Sequence, residues 1–172
     1  MSMSTRVLVA YSGRYGSTEE IAQAIADVIS KAGMSVDVDA VSRVKDIGQY
    51  GAVVLGTSIR MGKPLKDVVG FARRHREGLA RVPVAVFSVG VFMREDTPAH
   101  REGTKQALAP LLTLIPNPVS VEFFAGKIDY ARLGWLLRFF ASRDKSGAMR
   151  EGDWRNWDSV RAWAASLVPR LG

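Results

Sequence analysis

A run of hydroxyl-bearing residues and glycines, Tyr11 to Thr18, carries groups that commonly bind a phosphate. It follows the apolar residues 7–10 and precedes a helix-like run from Glu19 to Ala32. Backbone N–H groups at a helix N-terminus attract anions, glycines let the backbone approach them closely, and hydroxyls and an arginine add donors. We therefore expect a phosphate site here. The candidate residues are Ser12, Gly13, Arg14, Tyr15, Gly16, Ser17 and Thr18.

An ordinary strand-to-helix turn would also fit this run. Ser17 or Thr18 would then be the helix N-cap, and Glu20 stands three residues after Ser17, as in a capping box. The two interpretations are compatible, because a capped helix start can still bind an anion.

The spacing of the glycines narrows the class of phosphate ligand. A Walker loop requires a Gly-Lys pair, and no lysine follows Gly16, which disfavours ATP hydrolysis. A dinucleotide fingerprint requires three glycines, and this run has two, Gly13 and Gly16. A nicotinamide-dinucleotide site is therefore disfavoured as well.

Apolar runs alternate with helical patterns along the chain, which is typical of a parallel sheet with helices on both faces. The predicted strands are Arg6 to Tyr11, Ser35 to Val41, Ala52 to Gly56, Val82 to Gly90 and Val119 to Gly126. The predicted helices run from about Ser17 to Lys31, from Pro64, from Pro98 to about Leu114 with Pro110 kinking or ending its regular part, and from Trp154 to Val168. We expect the second strand to be an exposed edge strand, because its apolar and polar residues alternate.

Two further loops leave the carboxyl ends of predicted strands, Thr57 to Lys63 and Val91 to Asp96. Ligands of open α/β sheets bind at that edge, so these loops are expected to converge with the first loop and to flank a planar ring. The candidate ring-binding residues are Thr57, Ser58, Ile59, Arg60, Met61, Ser88, Val89, Gly90, Val91, Phe92 and Met93.

Length and composition favour one domain spanning residues 1–172, since 47% of the residues are apolar. The absence of cysteine excludes disulfides and thiolate chemistry, and His75 and His100 lack a metal-binding spacing, so no metal site is expected. The residues 1–4 show no signal-peptide pattern, and no apolar run reaches the roughly 18 residues of a membrane span. We therefore expect a cytoplasmic protein.

The formal net charge of +7 is concentrated in two segments. Lys63 to Arg81 and Lys127 to Arg150 each contain six basic and two acidic residues. Such segments bind anionic lipid, acidic ligands or nucleic acid, or they are simply solvated helix faces. We expect no nucleic-acid partner, because neither segment contains a recognised binding motif.

The first loop resembles the FMN phosphate loop of flavodoxins at Ser12, Gly16, Thr18 and Glu19. The resemblance extends over nearly the whole chain and implies FMN as the cofactor. It also implies an α/β flavodoxin-like, doubly wound sheet of five parallel strands in the order 2-1-3-4-5. In one respect the chain departs from the family pattern: the two ring-flanking loops contain no Trp or Tyr.

More of the chain resembles the menaquinone-dependent protoporphyrinogen oxidases, flavodoxin-like enzymes of haem synthesis. The resembling segments are Arg14, the run 56–62, the residues 87–89, the residues 124–126 and the Trp/Arg/Phe helix that follows. The resemblance implies oxidation of a porphyrinogen, with a membrane quinone as electron acceptor. Arg60 and Arg94 would then pair with substrate carboxylates or with anionic reduced flavin. An electron carrier and an NAD(P)H-dependent quinone or FMN reductase remain as alternatives.

An insertion, residues 127–153, separates the fifth predicted strand from the last helix, and a helix is expected from Tyr130 to Ser142. One apolar stripe of that helix is expected to pack on the domain: Leu133, Leu136, Leu137 and Phe140. Trp135 and Phe139 lie on the other side, beside Arg132 and Arg138. They would make peripheral contact with anionic lipid at the inner face of the cell membrane through 130–143, or line the mouth of the quinone and porphyrinogen site. Alternatively, they would form a homodimer contact or pack within the fold.

Overall fold

The computed structural model describes residues 5–172, so the N-terminal residues 1–4 considered above lie outside it. The strands are β1 (Arg6–Ser12), β2 (Ser35–Ala40), β3 (Ala52–Arg60), β4 (Lys63–Pro64), β5 (Val84–Gly90), β6 (Ser120–Ala125), β7 (Lys127–Ile128) and β8 (Gly152–Asp153). The α-helices are α1 (Ser17–Lys31), α2 (Lys66–Arg74), α3 (Arg76–Leu79), α4 (Pro98–Leu112), α5 (Trp135–Arg143) and α6 (Trp157–Leu171).

Five parallel strands form the central sheet in the order β2-β1-β3-β5-β6. This confirms the predicted α/β fold and strand order, with the short β4 added beside β3. Strands β1, β3 and β5 are almost wholly buried because helices cover both faces, whereas β2 is only half-buried, as expected of an edge strand.

Two apolar clusters, one on each face of the sheet, form the core. Helices α1 and α6 pack on one face, where Phe87, Phe124 and Trp163 pack against one another with ring centroids 5.7–6.2 Å apart. Helices α2 and α4 cover the other face through Phe71 and Leu108. The sheet is thus fixed from both sides, which leaves its carboxyl edge as the place where loops can vary.

The prediction of a loop from Thr57 to Lys63 is wrong. Strand β3 continues to Arg60 and turns back into β4, with Arg60 opposite Lys63. Met61 and Gly62 form the turn with φ angles of 51° and 71°, the left-handed conformations that a tight hairpin requires. Pro64 belongs to β4, where an edge strand tolerates it, so α2 begins at Lys66.

Two helix boundaries also differ from the prediction. Helix α4 ends at Leu112 and contains Pro110 in its last turn. Helix α6 begins at Trp157 rather than Trp154, because the Asn156 side chain caps it by accepting a hydrogen bond from Ser159 N at 3.0 Å. Helix α6 buries Val160, Trp163, Ala164 and Leu167.

The insertion is a loop closed at its base by β7 and β8, which pair Lys127 with Asp153 and Ile128 with Gly152. The single helix predicted from Tyr130 to Ser142 is replaced by a 3-10 turn at Tyr130–Arg132 and by α5.

The apolar stripe predicted to pack inward is partly wrong. Leu133 and Ala141 are buried, whereas Leu136 and Phe140 are 50% and 59% exposed. The apolar spacing could not determine which of two apolar sides of the helix meets the domain, since tertiary packing decides this.

Gly56 lies where β3 meets the Phe87 side chain of β5, and a Cβ at Gly56 would overlap the Phe87 ring. We expect Gly56→Ala to lower the free energy of unfolding by about 1–3 kcal/mol, because a fully packed core accommodates added volume only by strain. Urea denaturation followed by far-UV circular dichroism measures the change.

The matched control is Gly70→Ala in the middle of α2, where a Cβ meets nothing within 4 Å. We expect this substitution to be neutral or to stabilise by up to about 1 kcal/mol, since alanine favours a helix interior over glycine. Equal stability of Gly56→Ala and the parent would contradict the packing described here.

Candidate functional site

Three neighbouring strands bring their carboxyl ends to one place. Ser12 of β1 lies opposite Thr57 of β3, which lies opposite Ser88 of β5. All three side chains are buried and form the last polar row of the sheet before the loops begin. The first loop, the β3–β4 hairpin and the turn after β5 therefore leave the sheet side by side.

The first loop leads into α1 through a glycine N-cap. Gly16 has a φ of 91°, and among the described residues no side chain caps this helix start. The predicted capping box is wrong. Ser17 Oγ instead accepts a hydrogen bond from Lys127 N at 3.2 Å and lies 3.3 Å from Lys127 O. A helix start without a side-chain cap keeps backbone donors for an anion.

Gly13 allows the loop to fold back over Thr18. A Cβ on Gly13 would lie 2.7 Å from Thr18 Cβ and 2.8 Å from its hydroxyl oxygen, which is too close for any other residue type. Thr18 is buried, Arg14 is exposed, and Ser12 Oγ donates to Asp67 Oδ1 at 2.5 Å. The loop therefore presents backbone, the Thr18 hydroxyl and the exposed Arg14.

Arg132 of the insertion lies against this loop, a contact that the sequence analysis missed. Its Nη1 donates to Tyr15 O at 3.2 Å and lies 3.4 Å from Glu20 Oε1. It comes so close to Gly16 that a Cβ there would collide with the guanidinium. The chain thus places a positive charge beside the N-terminus of α1.

The hairpin formed by β3 and β4 contacts the first loop. The Arg60 guanidinium lies over the Tyr15 ring, 5.1 Å from its centroid, and Met61 at the tip is fully exposed. Ser58 Oγ and Ser88 Oγ are buried without a hydrogen-bond partner among the described residues. Buried hydroxyls ordinarily have a hydrogen-bond partner, so the missing partners of these two serines, near the ends of β3 and β5, require an explanation.

The third loop is a 3-10 turn, Val91–Arg94, that begins after Gly90. Phe92 is 61% exposed, whereas the Val89 and Met93 side chains face the core. Arg94 lies over the ring of Trp154, 5.6 Å from its centroid, and donates to Gly147 O at 3.1 Å. The sequence analysis did not assign Trp154 to the site, because this residue follows the insertion and is far along the chain from the third loop.

An apolar cleft of about 300 Å³ lies between the hairpin, this turn and α4. Its lining residues are Ile59, Gly62, Gly90, Phe92, Ala99, His100, Gly103, Thr104 and Ala107. The sequence analysis assigned no role to His100. Its Nδ1 lies 2.7 Å from Glu95 O, and because a carbonyl only accepts, Nδ1 donates this hydrogen bond.

Glu20 of α1 holds both ends of the insertion. It pairs with Arg132 near the start and with Arg155 just beyond the end. The Arg155 side chain is only 7% exposed and also pairs with Asp153 at 2.6 Å, and this hydrogen bond lowers the pKa of the Asp153 carboxyl. The insertion is therefore attached to the helix whose N-terminus forms the candidate phosphate site.

Among residues 5–172, no group of three histidine or acidic side chains is arranged to hold a metal ion. In the same residues, no helix combines the length and the apolar character needed to cross a bilayer.

Comparison with known proteins agrees with this geometry. Residues 8–145 match the flavodoxin domain family. The chain belongs to this family. A solved flavodoxin from Pseudomonas aeruginosa, a variant with one cysteine replaced by serine, superposes with a TM-score of 0.60 at 17% identity, over 96% of this chain and 98% of that one.

Two relatives are similar over most of their length. A protein from Escherichia coli named protoporphyrinogen IX dehydrogenase (quinone) is 26% identical over 171 residues, 95% of this chain and 94% of that protein. A protein of the same name from Leishmania major is 27% identical over 181 residues, 97% of this chain and 76% of that protein.

Replacing Glu20 with Gln tests how the insertion is attached. We expect Glu20→Gln to speed tryptic cleavage between 143 and 150 by about two- to fivefold, since a partly exposed ion pair contributes up to about 1 kcal/mol. Limited proteolysis followed by mass spectrometry measures the rate. The control is Glu102→Gln on the exposed side of α4, and identical rates for both variants and the parent would contradict the attachment.

Proposed function

We propose that this protein is an FMN-dependent oxidoreductase that oxidises protoporphyrinogen IX to protoporphyrin IX, with a membrane quinone as electron acceptor. The observation that carries the proposal is the similarity to the Escherichia coli dehydrogenase along 95% of the chain. The flavodoxin superposition, at 17% identity, supports the fold alone.

The first loop fits the phosphate of FMN. Its helix start has a glycine cap, the Thr18 hydroxyl lies against the Gly13 backbone, and the Arg132 guanidinium lies beside Gly16. Backbone donors, a hydroxyl and a cation are the groups that bind a phosphate dianion. These residues would hold the phosphate.

The other two loops fit a planar heterocycle. Met61 and Phe92 expose apolar surface at the ends of β3 and β5, and the Ser58 hydroxyl of β3 is buried without a protein partner in residues 5–172. Apolar faces flank a ring, and a hydroxyl satisfies a polar atom at its edge. The chemistry that FMN supplies when bound is hydride and electron transfer between donor and acceptor.

Two arginines are placed to orient a substrate that bears carboxylates. Arg60 is held over Tyr15 and Arg94 over Trp154, which fixes both planar guanidinium groups at the carboxyl edge of the sheet. Such groups bind carboxylates through paired hydrogen bonds, and the porphyrinogen carries propionates.

The cofactor assignment is tested by Thr18→Val, which removes the hydroxyl and keeps the side-chain shape. We expect FMN to bind about ten- to a hundredfold more weakly, because a hydrogen bond to a charged group contributes about 1.5–3 kcal/mol. Flavin fluorescence titration measures the dissociation constant. Thr113→Val, at the exposed end of α4, is the control, and unchanged FMN affinity in Thr18→Val would count against the site.

The activity is tested by anaerobic incubation of the FMN-loaded protein with protoporphyrinogen and a menaquinone analogue. We expect porphyrin fluorescence to rise with saturable dependence on both compounds. Flavin reduction by NAD(P)H without porphyrin formation would instead identify a quinone or FMN reductase. Electron exchange with redox proteins alone would identify a carrier.

A further inference from the structure

Exposed large hydrophobic side chains gather at one edge of the molecule. Within residues 5–172 they are Met61, Phe92, Trp135, Leu136, Phe139 and Phe140. Met61 and Phe92 follow the carboxyl ends of β3 and β5, and the other four belong to α5, which follows the carboxyl end of β6. The residues that flank α5 contact the loops at that same edge, since Arg132 bonds to Tyr15 O and Gly147 O accepts from Arg94, so α5 lies at the carboxyl edge of the sheet as well.

Helix α5 turns one continuous apolar face to solvent. Trp135, Leu136, Phe139 and Phe140 occupy positions i, i+1, i+4 and i+5, which lie on one side of a helix. We call these four residues the α5 apolar face. Trp135 is 81% exposed, while Ala141 on the opposite side is buried, as is Leu133 just before the helix, and these two residues attach α5 to the domain. The orientation of the face is therefore fixed by packing.

Arginines border this face. The Arg143 guanidinium lies 4.2 Å from the centroid of the Phe139 ring, and Arg138 is exposed on the adjoining side of the helix. No acidic side chain among the described residues pairs with either arginine, whereas Arg132 is paired with Glu20. Residues 127–150 contain six basic and two acidic side chains. The surroundings of the face are thus strongly cationic.

We propose that the α5 apolar face docks on an anionic lipid bilayer. The rings of Trp135, Phe139 and Phe140 enter the boundary between headgroups and acyl chains, and Arg138 and Arg143 meet the lipid phosphates. A nine-residue helix is far shorter than the roughly 20 residues of a span, so α5 lies in the plane of the interface.

Charge complementarity favours lipid over a second copy of the chain. A symmetric dimer through this face would place two segments with an excess of basic residues against each other, and like charges repel. An anionic bilayer neutralises them instead. Docking through α5 also turns the carboxyl edge of the sheet, with the apolar cleft between Ile59 and Phe92, towards the membrane.

Vesicle flotation tests the proposal with the full-length FMN-loaded protein and needs no turnover. The probes are vesicles of phosphatidylcholine with phosphatidylglycerol and vesicles of phosphatidylcholine alone. We expect the parent to float with the anionic vesicles, and Trp135→Ser with Phe140→Ser to bind at least about tenfold more weakly, since the buried apolar area supplies the attachment. Far-UV circular dichroism verifies that each variant is folded.

A charge-matched pair of variants separates specific docking from general attraction. Arg138→Gln with Arg143→Gln removes two charges at α5, and we expect roughly tenfold weaker binding to anionic vesicles. Arg73→Gln with Arg74→Gln removes two charges from exposed positions of α2 and should bind like the parent.

Four results would overturn the proposal. They are absence of parent binding to anionic vesicles, equal binding by the parent and the Trp135/Phe140 variant, and equal losses from the two arginine variants. The fourth is a dimer in light scattering that the Trp135/Phe140 variant dissociates, since a second copy would then cover the face.

Discussion

The short connection from β1 into α1 is the constraint on which the rest of the site depends. Gly16 caps the helix in a left-handed conformation, and Gly13 lets the preceding loop fold over Thr18. Because no side chain in the described residues caps this helix start, its donors and its dipole remain directed at the loop. The two neighbouring loops gain their positions from strands β3 and β5, which are paired with one another and, through β3, with β1.

The insertion is joined to that same helix start and adds groups that the sheet itself does not provide. Ser17 bonds to the backbone of Lys127, and Glu20 pairs with arginines at both ends of the insertion. Through these attachments the insertion brings Arg132 to the first loop and Trp154 to Arg94. The insertion and the residue that follows it thus add a cation and an aromatic ring to the carboxyl edge of the sheet.

Local patterns in the sequence predicted most of the strands and helices, and the resemblance to flavodoxins supplied the strand order. Helical spacing predicted α1 with its bounds, and alternation predicted β2 as the edge strand, because both signals depend on neighbouring residues alone. The β3–β4 hairpin escaped prediction because its turn places Met61 where glycine or asparagine is usual, so the polar run resembled a loop. The capping box was wrong because Ser17 forms a bond to a residue far along the chain.

Long-range contacts account for most of the site that sequence could not predict. Arg132 and Tyr15 are separated by 117 positions, and no spacing rule links them. Trp154 and His100 had no motif to distinguish them from surface residues. The inward side of α5 was assigned only in part, since Leu133 packs as predicted whereas Leu136 and Phe140 do not.

The most direct measurement compares the affinities for FMN and riboflavin, which share the ring and differ in the phosphate. If the loop from Ser12 to Thr18 binds the phosphate, FMN should bind at least about a hundredfold more tightly, because several hydrogen bonds to a charged group each contribute about 1.5–3 kcal/mol. Equal affinities for the two flavins, or no binding of either, would contradict a phosphate site at the start of α1.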